Sequence, residues 1–212
     1  MKVRSLFPYR LYLVISEDAC RGKDMLQVAE QAIQGGVDII QLREKQLTEP
    51  LFLERAKQLR DITEKYGVPL IINDNPKVAA LADASGIHVG NTDTRPTVLR
   101  QRAGFEEKLI GYSIEYLKQL ENVQTMVSDY LAISPVFSTN TKTDTVTEWG
   151  LEGISKIRQL TKKPLVAIGN IHVNNTKAVF RAGADCIAVV SAICGADDPM
   201  KAAYQLKNTI EK

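Results

Sequence analysis

Arg43 and Lys45 stand two residues apart in "QLREK" (41–45), beside the amide of Gln41, and Lys142 sits among hydroxyls in "STNTKTD" (138–144). Asp74 in "NDN" (73–75) and Asp93 in "GNTD" (90–93) add hard anionic oxygens. Cations and a pair of carboxylates in one pocket would suit a phosphorylated ligand with Mg²⁺. That ion takes few protein carboxylates, keeps water and draws further ligands from phosphate oxygens. Backbone N–H groups near Asn170 and Ser191, at the start of following helices, would make a second anion site.

Each group alone has a structural alternative. Arg43, Glu44 and Lys45 could be a solvated strand end, Asp74 a turn residue before Pro76, Asp93 the cap of a helix, and "STNTKTD" a polar loop. His88 lies within a β-rich run and His172 in a turn, neither with a second histidine at ligand spacing, so both read as structural. Cys186 and Cys194 read as small buried apolar groups and Trp149 as a loop anchor. The chemical reading depends on a fold that brings the polar stretches together.

The elements that would do so are legible. Short β-branched runs recur at 11–16, 38–44, 69–75, 86–91, 109–114, 129–134, 164–169 and 186–191. Helical segments with recognisable punctuation lie between them. Asp24 precedes "MLQVAEQAIQ", Thr48 and Pro50 open a run that stops at Gly67, and Asn75-Pro76 opens another. "GLEGISKIRQL", "NNTKAVFRAGA" and "DDPMKAAYQLKNTIEK" repeat the pattern. Near-continuous apolar strands alternating with helices predict a parallel sheet. Eight such units predict one (β/α)8 TIM barrel over residues 1–212, with short loops. The alternative, an open doubly wound sheet, lacks its GxGxxG turn here. In the barrel the C-terminal strand ends share one mouth, where every polar stretch named above would converge.

Composition narrows the class. Of the 212 residues, 44% are hydrophobic and 25% charged, with a net charge of +2, which gives no reason to expect nucleic acid or a membrane as partner. Three cysteines without CxxC spacing indicate neither a disulfide framework nor a zinc site and fit a reducing, cytoplasmic setting. Pro8 and Arg10 interrupt the apolar N-terminal stretch, so no cleaved leader is expected.

The ordered set "QLREK", "NDN", "GIHVGNTD", "STNTKTD", "GLEG" and "AGADCIAVVSAI" resembles the thiamine phosphate synthase family over nearly the whole chain. The resemblance implies a Mg²⁺-dependent transferase. It would join 4-amino-2-methyl-5-(diphosphooxymethyl)pyrimidine to 4-methyl-5-(2-phosphooxyethyl)thiazole, releasing pyrophosphate and forming thiamine phosphate. By the same resemblance, the 41–45 segment with Leu42 and Glu44, together with Asn73, Ser113 and Lys142, would hold the pyrimidine diphosphate. Arg43, Lys45 and Lys142 would act on the leaving diphosphate, and Asp74 and Asp93 would hold Mg²⁺. Thr139, Asn140, Thr141, Asn170, Val190 and Ser191 would meet the thiazole phosphate. One position departs: "AIGNI" has Asn170 where the family has the second of two glycines. Asparagine is the side chain that best tolerates a left-handed backbone, so the site is expected to survive. A thiazole tautomerase of a related family and a non-catalytic phosphometabolite-binding barrel remain the alternatives.

Overall fold

Strand alternation sorts the apolar residues into two layers before any helix is considered. In β1 (Leu11–Ile15), Leu11, Leu13 and Ile15 belong to one buried cluster and Tyr12 and Val14 to another. The same division runs through β2 (Ile39–Leu42), β3 (Leu70–Asn73), β4 (Gly86–Val89), β5 (Leu109–Ile114), β6 (Tyr130–Ile133), β7 (Leu165–Ile168) and β8 (Cys186–Val189). The computed structural model describes residues 7–138 and 147–212. Each strand is parallel to the next and β8 pairs with β1, closing an eight-stranded barrel with helices between the strands. One cluster is the strand-to-helix core; the smaller, with Tyr12, Ile39, Ile71, Tyr130, Val166 and Cys186, fills the lumen.

The helices are α1 (Met25–Gln34), α2 (Glu49–Lys65), α3 (Pro76–Leu81), α4 (Pro96–Gln101), α5 (Val123–Val127), α6 (Gly150–Leu160), α7 (Val173–Arg181), α8 (Ser191–Cys194) and α9 (Pro199–Glu211). Asp24 caps α1 as its position predicts, accepting from the N–H groups of Leu26 at 2.8 Å and Gln27 at 3.2 Å. The short α4, α5 and α8 carry no long periodic run. Beneath the barrel, Asp38 accepts from the N–H groups of Arg10 and Leu11, both at 2.9 Å, and pairs with Lys207 of α9 at 2.6 Å. This contact ties the last helix to the first strand, away from the mouth. No helix among the described residues is long and apolar enough to cross a membrane.

Candidate active site at the barrel mouth

The inward positions near the strand C-termini divide the mouth in two. On β2 to β5 they are polar: Gln41, Asn73, His88 and Ser113. On β6 to β8 and β1 they are Ala132, Ile168, Ala188 and Val14. A cavity of about 320 Å³ lies between the two halves: the polar side chains, with Arg43, Lys45, Asp74, Asp93 and Glu115, form one wall and Val14, Ala132, Ile168 and Ala188 the other. Its floor is closed by Tyr12 and Tyr130.

Within it Lys45 contacts Asp74, whose other oxygen accepts from the Asn73 amide at 3.0 Å. Asp74 holds a left-handed backbone, φ 60°, at the turn into α3, where Asn75 provides the helix cap. Asp93 does not cap α4, which begins behind Arg95; its Oδ2 accepts from the Gly90 N–H at 2.8 Å, folding the loop back on itself. That contact keeps the carboxylate at the cavity wall. Burial, and then the neighbouring Asp74 carboxylate within hydrogen-bonding reach, push Asp93 above the usual carboxylate range. Two neighbouring carboxylates beside Lys45 and Arg43 fit a hard divalent ion that completes its shell from a ligand. They do not make a protein cage, since the described residues contain no cluster of three or more His, Cys, Asp or Glu suited to one.

The second cavity, about 480 Å³, lies over β7, β8 and β1 and is lined by Gly169, Asn170, Val190, Ser191 and Arg21 among others. Here the backbone carries the shape. Gly169 sits at φ 120°, where an added Cβ would lie 2.7 Å from Pro135 Cβ and 2.8 Å from the Val136 nitrogen. Asn170 adopts φ 50°, the left-handed conformation anticipated for it, and its carbonyl accepts from the Asn175 amide at 3.0 Å. Ser191 opens α8, whose first amides lack acceptors within the helix. Val14, Arg43, Ser134, Ile168 and Ala188 line both cavities, so the two adjoin, and of these shared residues Arg43 carries the charge.

Gln41, Arg43, Lys45, Asn73, Asp74, Asp93 and Ser113 thus converge on one cavity, and Asn170, Val190 and Ser191 on the other. Leu42 and Glu44 point elsewhere, because alternate residues of a strand face opposite sides. Leu42 is buried in the strand-to-helix core, and the Glu44 carboxylate accepts from the Glu17 N–H at 2.8 Å. Thr139, Asn140, Thr141 and Lys142 lie outside the described residues. Tyr12, Tyr130 and Glu115 line the first cavity and Arg21 the second without belonging to any of the motifs above, and His88, expected to be structural, also lines the first. Alternation from Ser113 marks Glu115 alone; Tyr12, Tyr130 and His88 lie on other strands, and Arg21 lies on a turn, so no local signal marks them.

Residues 11–193 match the family described as thiamine monophosphate synthase. The chain belongs to this family. It is 46% identical over 202 residues to a thiamine-phosphate synthase of Albidiferax ferrireducens, covering 95% of this chain and 92% of the relative. Identity to the enzyme of the same name from Chloroflexus aurantiacus is 42% over 207 residues, covering 98% and 95%. The solved thiamine phosphate pyrophosphorylase from Pyrococcus furiosus superposes with a TM-score of 0.86 at 32% identity over 96% of each chain.

Proposed function

We propose that the two cavities hold the two substrates of a thiamine-phosphate synthase reaction. The pyrimidine diphosphate lies against β2 to β5 and the thiazole phosphate against β7 and β8. The activity is that of a transferase. The observation that supports this placement is the junction at Arg43, which lets one guanidinium face the interval between the reactants.

In the reaction the bond between the pyrimidine methylene carbon and the diphosphate oxygen breaks, its electron pair leaving with the diphosphate. The thiazole ring nitrogen forms the new bond to that carbon, giving thiamine phosphate and pyrophosphate. Negative charge grows on the leaving group, so fixed cations lower the barrier more than they strengthen substrate binding. Arg43, Lys45 and Lys142 are assigned that task. Gln41, Asn73 and Ser113 orient the pyrimidine, while Asn170, Val190 and Ser191, with Arg21, anchor the thiazole's phosphate tail and so aim its nitrogen. Asp74 and Asp93 would hold Mg²⁺, which when bound supplies charge neutralisation at the diphosphate. An isomerisation of the thiazole alone would leave the Lys45, Asp74 and Asp93 cluster without a task.

Incubation of the purified protein with both substrates and Mg²⁺ should yield thiamine phosphate and pyrophosphate in equal amounts, and chelation should suppress both. Failure to form thiamine phosphate with both substrates saturating would sink this reading.

A further inference from the structure

A line of hydrogen bonds crosses the lumen beneath the polar half of the mouth. The Gln41 Nε2–H donates to the Tyr12 hydroxyl at 2.9 Å, and the Tyr12 and Tyr130 hydroxyls lie 2.9 Å apart. Tyr130 Oη is 3.2 Å from His88 Nδ1, and His88 Nε2 is 3.0 Å from Ser113 Oγ. Both tyrosines are essentially inaccessible and His88 is 8% exposed. Burial pushes both phenols above their ordinary range, so each enters the line with its proton.

Proton counting gives the line a direction. With Gln41 donating to Tyr12, the single proton between the two phenol oxygens comes from Tyr12, and Tyr130 must donate onward to His88 Nδ1. A proton on Nδ1 would meet the Tyr130 oxygen and strand one phenolic proton in the lumen, where an unmet donor is costly. Nε2 then carries the ring proton and donates to Ser113, leaving the serine hydroxyl free to donate into the cavity. At the opposite end the Gln41 carbonyl oxygen is left as an acceptor. The surroundings preserve the line. Gly111 of β5 is bare where a Cβ would lie 2.4 Å from both His88 Nδ1 and Tyr130 Oη. Phe7 packs on the Tyr130 ring at 4.8 Å, so the ring has a second restraint besides its hydroxyl.

We propose that Tyr12, Tyr130 and His88 are positioning residues that polarise Gln41 and Ser113, so that the cavity accepts through one and donates through the other. Resting on the substrate assignment above, this makes the line a specificity device for an aminopyrimidine. An exocyclic amine donates and its neighbouring ring nitrogen accepts. The 4-oxo analogue of the same diphosphate reverses both, and meets like against like.

The chain has two histidines, so the imidazole ¹⁵N spectrum is simple and a His88→Gln variant assigns it. In the ligand-free protein His88 is expected as the tautomer protonated on Nε2 alone. Protonation on Nδ1, or on both nitrogens at neutral pH, would overturn the proposal whether or not the protein turns over. Kinetically, the wild type should prefer the amino over the 4-oxo diphosphate in kcat/KM. Tyr130→Phe, which keeps the ring, should shrink that preference about tenfold or more and leave KM for the thiazole phosphate unchanged. Should Tyr130→Phe not fold, Tyr12→Phe carries the same expectation, and the double variant should lose no more than either single one. An unaltered preference in a folded variant, or equal losses for both substrates, would contradict the device. Absence of any turnover in the wild type would instead overturn the substrate assignment, with the tautomer still read from the spectrum.

Discussion

The two halves of the mouth are built from different groups. Across β2 to β5 the polar groups are side chains on the strands and on the turns that follow them, held by partners: Asn73 on Asp74, Lys45 on Asp74, His88 on Ser113. Across β7 and β8 the strand ends are apolar, and the polar surface comes from the turns at Gly169, Asn170, Val190 and Ser191 together with the side chains of Arg21 and Arg43. Side chains on strands can be matched to charge that changes during reaction; backbone amides give a fixed cradle suited to a phosphate that only has to be held. The substrate placement proposed above puts the chemistry on the first side and anchorage on the second.

Substitutions should therefore separate by side. The largest loss is expected for Asp93→Ala, which removes one of the two carboxylates available to a divalent ion and should bring turnover to the assay floor while leaving the melting temperature close to that of the parent. Full activity at low Mg²⁺ would show that Asp93 holds no metal. Next, Lys142→Ala should lower kcat by about 10²–10³, the range found when a donor to developing charge is removed, with little change in KM for the thiazole phosphate. Steady-state kinetics with each substrate varied in turn distinguishes this from a binding defect.

On the anchoring side the effect should move into KM. Arg21→Ala removes a cation from the second cavity, and at about 1.5–3 kcal/mol for a charged hydrogen bond should raise KM for the thiazole phosphate roughly tenfold to a hundredfold at nearly constant kcat. A fall in kcat with unchanged KM would place Arg21 with the catalytic cations and blur the division. The smallest change is expected for Asn170→Gly. Since Asn170 already holds φ 50°, glycine keeps the cradle, and KM for the thiazole phosphate should shift by about tenfold or less, at most about 1.4 kcal/mol. Loss of thiazole phosphate binding in that variant would mean that the asparagine side chain, not the peptide group, is the contact.

Among the cysteines, Cys20, Cys186 and Cys194 are free and buried, and burial holds the Cys186 thiol well above its ordinary range, as befits packing rather than nucleophilic chemistry. Trp149 packs partly buried against the core at the start of α6, in keeping with a loop anchor.

The sequence by itself determined the barrel and the larger part of its mouth. Eight β-branched runs separated by capped helices leave few topologies, since parallel neighbours require crossovers, and the polar groups at the ends of those runs then have one place to meet. It also determined that Asn170 could stand at a glycine position, because local backbone preference is a property of the residue itself. Only the tertiary structure decided which groups face one another. Whether Asp93 caps a helix or lines a cavity depended on a bond to Gly90, and α4 beginning behind Arg95 settled it. That Leu42 and Glu44 turn away from a motif they share with Gln41, Arg43 and Lys45 followed from strand alternation, once the pleat was placed relative to the lumen. The line from Gln41 to Ser113 joins residues from five strands, with sequence separations of up to 118 between bonded partners, and no local pattern marks it. Its members are ordinary strand residues in the sequence. Closure of the barrel alone places two phenols, an imidazole and their polar ends across one buried lumen, where a proton without an acceptor is costly.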